Sequence, residues 1–169
     1  MTARDMGFLA SIAALVLDQA SKLLLLYGFG FADMLPGQHV AVLPGLDLVM
    51  MWNSGVSFSF LAGNGALGTA FLSLFTLAVV GVLGWWLWRV QTRVLAVGLG
   101  LVIGGALGNL VDRLIYGRVA DFFDLHLAGR DFFACNVADI AISLGVLLLL
   151  FDVVADSGAG SPSLRRGAE

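Results

Sequence analysis

Four long apolar runs are the feature that most limits how this chain can fold. They cover roughly residues 7–27, 66–88, 94–112 and 137–155. Each run is close to the length of about 20 apolar residues that crosses a bilayer as a helix. Backbone amides cannot remain unpaired in lipid, and no long alternating pattern indicates a membrane barrel. The sequence therefore predicts an all-α membrane protein with four transmembrane helices.

The composition agrees with this class. Of the 169 residues, 59% are hydrophobic and only 12% are charged, whereas about a quarter of an ordinary soluble domain is charged. We expect a single membrane-embedded domain over residues 1–156. Residues 157–169 are mostly small and polar, which predicts a disordered cytoplasmic tail. The first run is longer than the core of a secretory signal and contains Asp18 and Lys22, so we expect it to be retained.

The connections between the runs differ. Residues 28–65 contain short apolar runs between prolines and glycines, which predict a small extramembrane β-rich unit, whereas residues 113–135 predict a loop of moderate length. Lys and Arg are more frequent on the side that holds both termini, and Trp85, Trp86 and Trp88 lie at the same side. Both features favour cytoplasmic termini, which puts the β-rich unit on the outer, periplasmic side.

Polar residues in and beside the runs are expected at one level of the bundle. Counting about 1.5 Å of rise per residue puts them near the outer membrane boundary, where they predict a polar cavity. We expect the third helix to end at Asp112 and Asp121 to lie on the following loop. The set comprises Asp18, Lys22, Asn53, Asn109, Asp112, Asp121, Asp124, Asn136 and Asp139.

Several of these residues also have a purely structural interpretation. Asp18 and Lys22 are four residues apart on one helix face, where they can neutralise each other. Asn136 and Asp139 have the spacing of a helix N-cap and its partner three residues on. Arg113 can be an interfacial anchor or can contact substrate.

Other features point to packing rather than chemistry. Gly100, Gly104 and Gly108 recur every four residues and predict a smooth strip for close helix packing. Cys135 is the only cysteine, so it can form neither an internal disulfide nor a zinc site of paired cysteines, and a buried inert thiol is expected. We expect no metal and no cofactor. The basic surface typical of nucleic-acid partners is absent from the sequence.

General acid and base catalysis by aspartates is the chemistry that remains. Two adjacent carboxylates cannot both ionise easily, so one keeps a proton while the other acts as a base. Such a pair can activate water to attack a peptide carbonyl. Residue types alone leave two other functions open, namely a polytopic ion or proton transporter that uses intramembrane Asp and Lys, and a non-catalytic assembly subunit.

Four sequence blocks resemble the bacterial signal peptidase II family, the lipoprotein signal peptidases. They are "DQASK" (18–22), "NSGVSFS" (53–59), "GGALGNLVDRLIYGRVADFFD" (104–124) and "NVADIAI" (136–142). The resemblance covers nearly the whole chain up to about residue 155. It implies a multi-pass aspartyl endopeptidase of the bacterial cytoplasmic (inner) membrane, with its active site near the outer surface. Its substrate would be a diacylglyceryl prolipoprotein in membrane lipid, cut on the amino side of the lipidated cysteine.

The resemblance also implies residue roles. Asp121 in "VADF" and Asp139 in "NVAD" match the catalytic pair. The family further implies a β-rich cradle from the first outer loop and inhibition by globomycin-type cyclic peptides. This chain departs from the family pattern at Ser57 and at Cys135, where a small apolar residue and Phe are usual. Substrate-binding or site-supporting roles are implied for Asp18, Lys22, Asn53, Gly105, Asn109, Asp112, Arg113 and Asn136.

Overall fold

The structure is a computed structural model that describes residues 1–35, 37–55, 65–127 and 130–159. Four helices are present in this part of the chain, and each is long and apolar enough to cross a membrane, which confirms the four predicted runs. Ser57 and most of the predicted tail, residues 160–169, lie outside the described residues. The helices are α1 (Ala3–Leu23), α2 (Gly65–Leu87), α3 (Arg93–Tyr116) and α4 (Val137–Ala159).

The helix ends differ from the prediction where local backbone geometry decides them. A reciprocal capping box between Thr2 and Asp5 starts α1 several residues earlier than expected. The third helix continues to Tyr116 rather than ending at Asp112, and Gly117 terminates it with a left-handed φ of 73°. Asp112 therefore lies within α3. The fourth helix runs to Ala159, beyond its predicted end at residue 155.

Helix α3 lies at the centre of the bundle and packs mainly against α1 and α4. A side chain at Gly104 would overlap the carbonyl oxygen of Ser11, and one at Gly108 would overlap the Asp18 carboxylate. Gly100 likewise lies directly against the backbone of Gly7. The predicted glycine strip is thus confirmed as the surface on which α1 packs closely.

An antiparallel sheet joins one end of this bundle. Its strands lie in the order β1-β2-β3-β4. It connects the C-terminal ends of α1 and α3 with the N-terminal ends of α2 and α4, so we call this the sheet end. The strands are β1 (His39–Leu43), β2 (Leu46–Asn53), β3 (Val119–Leu127) and β4 (Arg130–Cys135).

Only half of this sheet was predicted. The first connection supplies β1 and β2, as expected, but the second connection was predicted to be a loop and instead forms β3 and β4. The runs "VADFFDLHL" and "RDFFAC" contain the aromatic and β-branched residues that favour strands. Asp121 consequently lies on a strand paired with β2, not on a loop.

The opposite end of the bundle carries exposed tryptophans beside basic residues. The guanidinium of Arg89 lies 3.9 Å from the centre of the Trp85 ring, and that of Arg4 lies 4.4 Å from the centre of the Trp88 ring. Amphipathic indoles beside cationic groups are typical of a membrane–water interface. This end also holds the start of α1 and the end of α4.

Candidate active site

The predicted polar residues converge at the sheet end, between α1, α3, α4 and β3. Four of them, Asp18, Asp112, Asp121 and Asn136, are at most 1% exposed. Buried polar groups of this kind are costly unless they are hydrogen-bonded. The structure supplies those bonds through one continuous network.

Asn136 is the centre of the network. Its side-chain amide donates to Oδ1 of Asp121 at 2.6 Å, and its Oδ1 accepts from the backbone N–H of Asp139 at 3.0 Å. In return, Oδ2 of Asp139 accepts from the backbone N–H of Asn136 at 3.2 Å. The predicted N-cap is confirmed. The same residue also links the two aspartates of the expected catalytic pair.

Asp121 is held on both sides by amides. Besides the bond from Asn136, its Oδ2 accepts from the side-chain amide of Asn53 at 3.0 Å. Asn53 ends β2 and is itself fixed because its Oδ1 accepts from the backbone N–H of Gly55 at 2.8 Å. The pKa of Asp121 is raised to about 6, mainly by burial and also by the charge of Asp139, while the bonds from Asn53 and Asn136 oppose the rise.

Asp139 lies in the first turn of α4 and is less buried than Asp121. Its Oδ1 accepts from the side-chain amide of Asn109 at 2.9 Å, so each of its oxygens has a donor. The positive end of the α4 dipole also lies beside this carboxylate. Asp121 and Asp139 are therefore two fixed acids in different surroundings, one enclosed and one facing a cavity.

Lys22 lies between two carboxylates beneath this pair. Its Nζ is 2.8 Å from Oδ2 of Asp18 and 2.9 Å from Oδ2 of Asp112, and it donates to Oδ1 of Asn109 at 3.2 Å. The predicted pairing of Asp18 with Lys22 is confirmed, and Asp112 is a second carboxylate partner of Lys22. We call Asp18, Lys22 and Asp112 the Lys22 cluster.

The Lys22 cluster also holds the elements that carry the two acids. The backbone N–H of Ala138, in the first turn of α4, donates to Asp18 at 2.9 Å. The backbone N–H of Ala120, next to Asp121 in β3, donates to Asp112 at 3.0 Å. These bonds fix the starts of α4 and β3 relative to α1 and α3.

Gln19 belongs to the network although its role was not predicted. Its side-chain amide lies 3.1 Å from each of three acceptors, namely the carboxylates of Asp18 and Asp112 and the carbonyl oxygen of Gly108. The available signal was its position beside Asp18 in the first quoted block, where an uncharged amide interrupts an apolar helix.

Three predicted residues lie at the margin of this network or outside it. Arg113 donates to the carbonyl oxygen of Asn109 at 3.3 Å and lines a cleft of about 770 Å³ between α2 and α3. A side chain at Gly105 would overlap the carbonyl oxygen of Ala138, so this glycine permits the close approach of α3 and α4. Asp124, expected in the same polar layer, lies three residues after Asp121 on β3 and therefore on the other face of the sheet.

Cys135 precedes Asn136 and is buried. Burial raises the pKa of its thiol to about 11, and the nearby charges of Asp139 and Asp121 act in the same direction. The thiol is therefore protonated at neutral pH and is a poor nucleophile. This agrees with its interpretation as a packing residue.

The chain is similar to known proteins over nearly its whole length. Residues 10–155 match the model of a family described as signal peptidase (SPase) II. A lipoprotein signal peptidase of Rhodopseudomonas palustris is 45% identical over 156 residues, covering 90% of this chain and 93% of the relative. One from Beijerinckia indica subsp. indica is 40% identical and covers 96% of each chain.

Solved structures show the same fold. A bacterial membrane enzyme determined by the in meso method at 1.9 Å resolution superposes with a TM-score of 0.75 at 26% identity, covering 89% of this chain and 93% of the other. A second, at 2.3 Å resolution, gives a TM-score of 0.74 at 25% identity, covering 96% and 93%. The four helices and the sheet are thus an arrangement that membrane enzymes adopt.

Proposed function

The chain belongs to the signal peptidase II family, and on this premise we propose that Asp121 and Asp139 are the acids with which it cuts its substrate. It is a membrane protease that removes signal peptides from prolipoproteins. Residue types alone left two other functions open, a transporter and an assembly subunit, and membership of this protease family decides against both. The observation that carries the proposal is that both carboxylates hydrogen-bond to Asn136, Asp121 at 2.6 Å and Asp139 at 3.2 Å.

The different surroundings of the two acids suggest their roles. We assign the proton at the start of the reaction to Asp121, because its pKa is raised to about 6, mainly by burial, so that it holds a proton more readily than an ordinary aspartate. Asp139, beside the helix N-terminus and facing a cavity, begins as the carboxylate that accepts a proton from water. The resulting hydroxide attacks the peptide carbonyl carbon while Asp121 donates its proton to the carbonyl oxygen.

The second half of the reaction restores both acids. Asp139 gives the proton it took from water to the amide nitrogen, and the C–N bond breaks. Asp121 takes a proton back from the hydroxyl group that it formed, which leaves a carboxylic acid and an amine. The proton count of the pair is unchanged over one cycle, so the apparent pKa values of activity belong to the pair.

The surrounding amides act as positioning residues. Asn53, Asn109 and Asn136 each donate to one of the two carboxylates at 3.0 Å or less. Fixed donors leave the carboxylates few orientations, which keeps the reacting oxygens aligned without reorganisation during the reaction. The Lys22 cluster supports this alignment from below through Ala120 and Ala138.

We further propose that the substrate is a prolipoprotein with a diacylglyceryl group on cysteine, cut on the amino side of that residue. The sheet end then faces the periplasm from the bacterial inner membrane and the termini are cytoplasmic. Support comes from the paired arginines and tryptophans at the opposite end, since basic residues favour the cytoplasmic side. Residues 1–156 act as one membrane-embedded peptidase domain, followed by a short cytoplasmic tail. A globomycin-type cyclic peptide is expected to compete with the prolipoprotein for Asp121 and Asp139.

Single substitutions of the two acids test the assignment. Asp121→Asn and Asp139→Asn preserve shape but remove the shared proton chemistry, and each is expected to abolish cleavage of a diacylglyceryl prolipoprotein by the purified enzyme in lipid vesicles. Asp124→Asn is the matched control, because Asp124 lies on the same strand but on its other face. Cleavage that persists at the unsubstituted rate in either of the first two variants would reject the assignment.

A further inference from the structure

A separate apolar cavity begins at Asp139. Its volume is about 460 Å³, and it lies between the sheet and the first two turns of α4. Ligand sites commonly combine such a volume with mostly apolar walls and a few polar groups. We call it the α4 groove; the lining residues used below are Phe123, Phe133, Cys135, Asp139, Ser143 and Leu144.

The sheet side of the α4 groove is continuous with the catalytic pair. Phe123 is paired with Cys135 across β3 and β4, and the next pair on the same face of the sheet is Leu125 with Phe133. Side chains two residues apart on a strand share a face, so Asp121 and Phe123 point to the same side of the sheet. An apolar floor therefore leads directly away from Asp121.

The helix side of the groove extends along α4, away from the sheet end. From Asp139 to Leu144, α4 rises by about 7 Å away from the sheet end. Phe133 is 58% exposed and Leu144 is 51% exposed, so the groove is open along the outer surface of α4. Because α4 is long and apolar enough to cross a membrane, an opening along its outer surface would face hydrocarbon.

We propose that the α4 groove holds one acyl chain of the substrate's diacylglyceryl group and thereby positions the scissile bond at Asp121 and Asp139. This inference rests on the proposed function. A lipidated residue next to the cut must lead its chains from a polar site into lipid, and the groove provides that path. Among the described residues that line the groove, Asp139 at the sheet end is the one that carries a charge, which suits an alkyl chain rather than a charged or polar segment.

The groove is expected to orient the substrate rather than to increase its affinity. An acyl chain is already surrounded by hydrocarbon in the bilayer, so entering an apolar groove adds little hydrophobic free energy. The benefit is alignment, because small displacements of the reacting bond lower the rate strongly. The small side chain of Cys135 keeps the sheet side of the groove open, and Ser143 does the same on the helix side.

Filling the groove tests the inference. Ser143→Phe places a ring in the groove from an exposed position of α4, so the fold is preserved. With a dipalmitoyl-modified substrate in vesicles, kcat/KM is expected to fall about tenfold, a size typical of steric exclusion from an apolar site. With a dibutanoyl-modified substrate it is expected to remain unchanged. Val146→Phe is the matched control, since Val146 is an exposed residue of the same helix outside the lining.

Other outcomes would overturn the inference. An equal loss for both substrates would indicate that the groove holds part of the peptide, and no loss for either would indicate that it is empty during the reaction.

Photocrosslinking separates this inference from the proposed function. A substrate with a diazirine on one acyl chain is bound to Asp139→Asn protein, and the crosslinked residues are identified by mass spectrometry. Crosslinks at Phe133 or Leu144 are expected, and crosslinks confined to α2 would refute the groove. If Asp139→Asn still cleaved substrate, the catalytic assignment would fail while the crosslink position still decided the groove.

Discussion

Replacing Lys22 by methionine should strongly destabilise the protein. The side chain is 3% exposed, and its ammonium lies 2.8 and 2.9 Å from two carboxylates that are themselves at most 1% exposed. Removal of one partner from a buried ion pair costs about 3–5 kcal/mol, because the remaining charge is left uncompensated. For a chain of this size that corresponds to a fall in Tm of about 6–20 °C. The Tm is measured from intrinsic tryptophan fluorescence while the protein is heated in detergent micelles.

Two controls make this prediction specific to the Lys22 cluster. Arg93→Met also removes a cation, but from an exposed position at the start of α3, and is expected to change stability by less than about 0.5 kcal/mol. Adding Asp18→Asn and Asp112→Asn to Lys22→Met should recover part of the loss, because the Lys22 cluster then contains no uncompensated charge. A Tm for Lys22→Met equal to that of Arg93→Met would refute the view that Lys22 neutralises buried carboxylates.

Two further predictions concern the catalytic pair. The kcat/KM of the free enzyme should fall as pH rises through about 6, because Asp121 loses the proton it must donate, and a profile that is flat through this pH would contradict its role as the acid. Asn136→Ala should lower the free energy of unfolding by about 1 kcal/mol because the helix cap is lost, and by a further 1–3 kcal/mol because buried groups are left unpaired. Thermal unfolding measures that loss, and a variant with unchanged Tm and unchanged cleavage would remove Asn136 from the site.

The sequence predicted the membrane architecture because its signal is local. Each helix is a run of about 20 apolar residues, and charges inside such runs are rare enough that their depth can be counted. Their depth along the helices correctly predicts that Asp18, Asn109 and Asn136 lie at one level of the bundle. The end of α3 was missed because Gly117, five residues beyond the end of the apolar run at residue 112, stops the helix.

The strands of the second connection were missed for a different reason. Strand β3 pairs with β2, about 70 residues earlier in the chain, and such long-range pairing leaves little local pattern. Without the strand, the alternation of faces was also hidden, so Asp124 was grouped with Asp121. Gln19 was not predicted as part of the polar layer, although its side-chain amide lies within hydrogen-bond distance of the carboxylates of both Asp18 and Asp112.

The central claim is that Asp121 and Asp139 act on one reacting atom. The most direct measurement is a structure of the protein bound to a lipopeptide in which a hydroxymethylene group replaces the scissile carbonyl. We predict that its hydroxyl oxygen lies within about 3.2 Å of a carboxylate oxygen of each aspartate. A bound inhibitor whose hydroxyl contacts only one of the two, with the other carboxylate pointing away, would contradict the account.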